Sequence, residues 1–222
     1  MLYNGTKERS EAMSKKWGYK HNNEDFYCVL FMSRNKDNKD VKNFKPRRQS
    51  FMISDFDEIY GYKAHQKFLN FRDEGVNGEL SRCYISFNLR DASKVRKGLL
   101  IDLIEDDNIS LTHITPRIVS IAMKAGMNKT KRWMFDVDTL NGDKVNSFLK
   151  DLESYGYKET DAYAFFSATE NSTLFYCKRR TINGYAILVN RGFDTRKILK
   201  DREDWVTLKR DDLIFFDWDR KD

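Results

Sequence analysis

The segment Arg132-Trp133-Met134-Phe135-Asp136-Val137-Asp138 constrains this chain more than any other. It predicts a short buried strand that ends in two carboxylates. Side chains alternate faces along a strand, so Asp136 and Asp138 share one face while Phe135 and Val137 turn into a core. Two acids on one face repel each other unless something positive sits between them. A divalent cation is the usual solution, because hard Mg²⁺ or Mn²⁺ prefers carboxylate oxygens. The plainer alternative is a strand that runs out into an acidic loop.

With 222 residues, 40% hydrophobic and 14% aromatic, the chain can bury the core of one large domain. Its 40 Lys+Arg exceed its 34 Asp+Glu to give a net charge of +6, which permits a polyanionic partner such as nucleic acid or nucleotide phosphate. Cys28, Cys83 and Cys177 lie far apart, and His21, His65 and His113 share no ligand spacing, which argues against zinc. Reduced, buried thiols in a cytoplasmic protein are expected. Met1 to Lys16 lacks an apolar signal region, and no apolar run approaches ~20 residues, so no membrane segment is expected. Neither a P-loop nor a dinucleotide-binding glycine fingerprint is present, and no histidine sits in a nucleophile-elbow context.

Along the chain, residues 1–25 read as a polar arm with a short helix possible around Lys7–Lys16. Phe26–Ser33 reads as a buried strand, and Arg34–Ser50 as a charged loop carrying Lys45-Pro46-Arg47-Arg48. Ser54 is placed to cap a helix running to about Asp73. A strand over Arg82–Leu89 and a helix from Asp91 or Ser93 follow, then a helix started by Thr115-Pro116 and stopped near Gly126. The basic link Lys129–Arg132 is expected in solvent or on a nucleic-acid backbone. After Asp138, Asn141 caps a helix with Val145, Phe148, Leu149 and Leu152 on one face. Ala162–Ala168 and Thr173–Cys177 read as strands joined by a turn at Glu170-Asn171-Ser172. Lys178-Arg179-Arg180 then leads to the turn at Asn183-Gly184 and the strand Tyr185–Val189. Phe193–Leu199 reads as a helix, and Trp205–Leu208 and Leu213–Phe216 as closing strands. The pattern predicts an α+β fold, a mixed, largely antiparallel sheet with packed helices. It divides into an N-terminal portion over 1–80 and a C-terminal core over 81–222, together one compact unit.

Three segments carry a resemblance: Trp133–Asp138, then Thr181–Val189 with Gly192-Phe193-Asp194-Thr195-Arg196, then Leu208–Phe216. With Cys83–Asp91 upstream, their order resembles the catalytic core of archaeo-eukaryotic-type primases, and more narrowly small tailed-bacteriophage proteins with that core. The resemblance implies a metal-dependent nucleotidyl or phosphoryl transferase acting on nucleotides or nucleic acid. It implies Mg²⁺ or Mn²⁺ held by Asp136, Asp138 and a third acid from the last strand, in a two-metal clamp on phosphoryl transfer. Asp217 is the choice for that acid, with Asp211, Asp212 and Asp219 as rivals. Lys178, Arg179, Arg180, Asn183 and Arg191 are the expected phosphate contacts. The pattern departs at Ala186, where the family carries a phosphate-contacting histidine. Arg180 or Arg191 replaces that contact, or the chain is an inactive protein that keeps the fold and binds nucleotide, nucleic acid or a host protein. A metal-dependent nuclease is a third reading.

Overall fold

The computed structural model describes residues 24–106, 108–167 and 173–221. The expected helix near Lys7–Lys16 and the turn at Glu170–Ser172 lie outside these residues. The fold is α+β, with the strands divided between two largely antiparallel sheets. In spatial order the first runs Arg47–Ile53, Tyr27–Ser33, Leu80–Ser86, Leu213–Arg220, and the second Lys158–Glu159, Phe175–Arg180, Tyr185–Val189, Trp133–Val137, Val206–Lys209.

Sheet 1 is built from β1 (Tyr27–Ser33), β2 (Arg47–Ile53), β3 (Leu80–Ser86) and β9 (Leu213–Arg220). Residue 80 opens β3, and the far C-terminal β9 completes the sheet that the N-terminal strands begin. Sheet 2 is built from β4 (Trp133–Val137), β5 (Lys158–Glu159), β6 (Phe175–Arg180), β7 (Tyr185–Val189) and β8 (Val206–Lys209). The inner faces of the sheets share a core in which Met134, Cys177, Ala186 and Leu188 meet Tyr27, Val29, Phe31, Cys83, Ile85 and Ile214. Helix α1 (Tyr62–Asp73) adds Phe68 and Phe71 to it. The outer face of sheet 2 holds Phe135, Val137, Ile187 and Val189 under α4 (Gly142–Ser154). Asn141 caps α4 by accepting from the Asp143 and Lys144 N–H groups, as its side chain and position predict. One end of the outer face of sheet 1 is covered by α2 (Ala92–Glu105) and α3 (Ile114–Ala122), which enclose Cys28 with Val95, Val119 and Ile121.

Four local expectations are corrected. Where a strand is expected over Ala162–Ala168, residues Ala162–Ser167 form helix α5, because the Asp161 carboxylate accepts from the Ala164 N–H at 2.8 Å and Phe165 and Phe166 bury on one side. The helix expected from Ser54 is interrupted at Gly61, a 3-10 turn over Phe56–Tyr60 preceding α1. The strand expected over Thr173–Cys177 runs instead over Phe175–Arg180, so Lys178–Arg180 belongs to β6. The helix around Phe193–Leu199 shrinks to α6 (Arg196–Leu199).

Arg132 is buried, against the expectation of a solvated basic link. Its guanidinium donates to the Tyr27 hydroxyl and to the carbonyls of Phe87 and Phe166, each at 3.1 Å, and lies over the rings of Phe165 and Phe166. Those bonds satisfy donors that burial would otherwise strand. Arg90 is fully buried and reaches the Asp211 carboxylate at 2.7 Å. All three cysteines are buried and free. Burial pushes the Cys28 thiol up to about 12 and Cys177 to about 11, so they are inert thiols in the packing.

Removing one partner of a buried ion pair leaves a charge that water cannot reach. Asp211→Ala is therefore expected to cost about 3–5 kcal/mol. Asp219→Ala breaks the pair with Arg72 at a wetter site and is expected to cost less than about 1 kcal/mol. Urea unfolding of the two variants beside the wild type measures the contrast, and equal costs would refute it.

Candidate functional site

Strand register decides which of the expected residues meet. Asp136 pairs across β4–β7 with Ala186, and Ala186 pairs across β7–β6 with Arg179. On the other side Asp136 pairs with Thr207 of β8. Paired residues share a face, so Arg179, Ala186, Asp136 and Thr207 form one row on the inner face of sheet 2. At about 4.8 Å per strand, the Cα atoms of Arg179 and Asp136 stand roughly 10 Å apart with Ala186 between them. Alternation sends Lys178 and Arg180 to the opposite face, where they lie over the Tyr185 ring at 5.9 and 5.2 Å. The basic triplet is thus split, and Arg179 alone faces the acid side.

Arg179 reaches across to sheet 1. It donates to the Phe216 carbonyl at 3.1 Å and stacks over the Phe216 ring at 4.8 Å. Asp217 follows Phe216 and pairs with Cys83, just where the β3–β9 register shifts. That bulge gives β9 one extra residue, so both Phe216 and Asp217 take the inward side. Asp217 is exposed, its carboxylate accepts from the Trp218 N–H at 2.8 Å, and its charge adds to the burial that raises the Cys83 thiol.

The charge that answers Asp136 is Lys209. Its ammonium lies 3.0 Å from Asp136 Oδ2 and 3.3 Å from Asp212 Oδ2. Partial burial pulls the Lys209 pKa down, but the hydrogen bonds and charges of Asp136 and Asp212 outweigh it and hold the group above the ordinary lysine range. The acid brought to Asp136 is therefore Asp212. Asp211 is committed to Arg90, and Asp219 to Arg72 at 2.5 Å. Asp138 lies just past the end of β4, exposed, with its N–H bonded to the Trp205 carbonyl. Among the described residues, no three His, Cys, Asp or Glu side chains converge as a metal-binding group. The Lys209 ammonium stands between the Asp136 and Asp212 carboxylates, the place a cation between paired acids would take.

The turn carrying Asn183 folds back on the end of β4. A Cβ on Gly184 would stand 1.8 Å from the Val137 carbonyl oxygen, so only glycine allows that approach, and Asn183 sits at the Asp138 end. Arg191 follows the far end of β7, where Val189 pairs with Trp133 at the start of β4, and its carbonyl accepts from the Tyr157 hydroxyl. It does not join the acids. Lys209 was not singled out by sequence, since only the pairing of β8 with β4 reveals it. Ala186 is 2% exposed, packed into the core between the sheets.

A scan against protein-family models finds no match to this chain, and neither curated protein sequences nor solved structures give one. No helix among the described residues is long and apolar enough to cross a membrane.

The Lys209 ion pair has a definite pH signature. A lysine whose folded pKa is raised stabilises the fold fully below the unfolded value of about 10.4, and that stability is lost as pH rises through the folded value. Wild type is expected to exceed Asp136→Asn in stability by less than about 1 kcal/mol, because the pair is a third exposed. Urea midpoints should show this gap constant from about pH 7 to 10 and shrinking above. A gap that widens with pH would disprove the pairing.

Proposed function

We propose that this chain is a nucleic-acid-binding protein of primase-like resemblance whose acidic strand end serves as a neutralised ion-pair centre instead of a metal clamp. The observation that carries the reading is the Lys209 ammonium lodged between Asp136 and Asp212. It supplies within the fold the positive charge that the acids would otherwise take from a cation.

Two further observations support it. Ala186 stands where the resemblance expects a phosphate-contacting histidine, and its methyl is sealed in the core, so a nucleotide phosphate has no donor there and no access. From Lys178 to Phe193 the chain carries four cations and no acid. Among the described residues Lys178 and Arg180 pair with no carboxylate; they lie over the Tyr185 ring instead. A polyanion completes such a surface. The binding partner on this reading is nucleic acid or nucleotide, in the cytoplasm of a host cell if the bacteriophage resemblance holds.

The test compares wild type, Lys209→Ala and Ala186→His, each with Mn²⁺ and with Mg²⁺. Thermal shift should show cation stabilisation in Lys209→Ala, where two carboxylates are left facing each other, and less than about 1 °C in wild type. Template-directed nucleotide incorporation should be absent in all three, while wild type binds oligonucleotide. Incorporation by the wild type would overturn the reading and restore the metal-dependent transferase.

A further inference from the structure

Among the described residues, the outer face of sheet 1 is covered at one end only, by α2 and α3. Alternation and register set two rows beyond the reach of α2 and α3. One row is Arg48, Met32, Arg82 and Trp218; the next is Ser50, Leu30, Tyr84 and Phe215. Leu30, Met32, Tyr84, Phe215 and Trp218 belong to none of the core clusters of the described residues. Trp218 is 49% exposed, and the others are half-buried. Tyr84 and Phe215 meet edge to face at 5.9 Å, which fixes both rings on the sheet.

Cations surround these rings. Arg82 lies 6.0 Å from the Phe215 ring centre. Asp37 neutralises part of the charge by pairing with both Arg34 and Arg82. Arg48 and Arg220 are exposed, and Arg220 pairs in register with Leu80, which puts it on this same face. Among the described residues, these four guanidinium groups thus share one carboxylate partner. The Arg82 Nε is buried without a hydrogen-bond partner. The neighbouring acids point elsewhere: Asp217 and Asp219 pair with Cys83 and Ser81 on the inner side, and Asp219 is held by Arg72.

We infer that this face is a stacking platform for single-stranded nucleic acid, with bases on Trp218, Tyr84 and Phe215 and phosphates on Arg48, Arg82 and Arg220. Side chains two apart on a strand stand about 6.6 Å apart, a spacing an extended single strand can match base by base. Aromatic rings on an open antiparallel sheet hold unstacked bases regardless of sequence, and arginines track the backbone. A duplex hides its base faces and has little to offer these rings. A protein partner would also cover apolar rings, but it gives no reason for four arginines around them. The inference rests on the nucleic-acid reading above and adds that the polymer lies on the side of sheet 1 away from Asp136.

The full chain is titrated with fluorescein-labelled 12-mers of oligothymidylate and oligouridylate and with a 12-base-pair duplex. Anisotropy and tryptophan emission are read at several salt concentrations. Expected results are single strands bound at least tenfold more tightly than duplex, with tryptophan quenching that Trp218→Phe reduces. Trp218→Ala should weaken binding about tenfold with an unchanged melting temperature, while Trp218→Phe stays within about threefold. Arg48→Ala and Arg220→Ala should each lower the salt slope by about one. The thymidylate and uridylate arms tell whether DNA or RNA is preferred. Wild-type affinity in Trp218→Ala, alongside a loss in Lys178→Ala/Arg180→Ala, overturns this inference and leaves the nucleic-acid reading standing. No binding by wild type overturns both. A wild-type dimer in sedimentation that Trp218→Ala dissociates overturns the inference in favour of a second copy on this face.

Discussion

The turn from Lys209 to Asp212 is where the two halves of the molecule are locked together. It carries the chain from β8 in sheet 2 to β9 in sheet 1, and its consecutive acids neutralise a cation on either side. Asp212 meets Lys209 of sheet 2, and Asp211 meets the buried Arg90 just beyond β3 of sheet 1. Asn88 reinforces the join by donating to the Asp211 carboxylate and to the Arg132 carbonyl, each at 3.1 Å. A fully desolvated guanidinium is destabilising unless its partner is held in place, so the position of Asp211 is enforced by Arg90. That in turn fixes Asp212, and through Lys209 it fixes what surrounds Asp136.

Buried arginines are a theme of this core. Arg132 finds neutral acceptors and aromatic faces, and Arg90 finds Asp211. Arg132 stands at the seam of the two sheets and serves the carbonyls of Phe87 and Phe166, whereas, among the described residues, Arg90 Nε and Nη2 are buried without a hydrogen-bond partner. A guanidinium with five N–H groups in a planar fork suits such a seam better than an ammonium does. Part of the positive charge counted from composition is therefore structural. Among the described residues, exposed cations on β6, β2 and the end of β9 remain for a partner.

How far the sequence was legible follows the range of the interactions. The strand Trp133–Val137 and the Asn141-capped helix were readable, because alternation, periodicity and a capping side chain act over a few residues. The segment Ala162–Ser167 was misread, since its aromatic richness suits a strand and the competing Asp161 cap is a weaker signal. The basic triplet was seen but not split, because the face of each residue depends on its being inside β6. Lys209 and Asp212 met Asp136 only through the pairing of β8 with β4, some seventy residues along the chain. No local pattern announces such a contact.

The bulge in β9 shows how little separates the two surfaces. In unbroken pairing, residue 217 would oppose Arg82 and point outward, and residue 218 would point inward. One extra residue reverses both. Phe216 enters the core and gives its carbonyl and ring to Arg179, while Asp217 stays on the acid side. Trp218 emerges on the outer face opposite Arg82. Arg179 donates to the Phe216 carbonyl at the bulge, which helps hold the irregularity in place. The inward acids and the outward aromatic thus depend on one local irregularity, and a change that regularised β9 would disturb both faces at once.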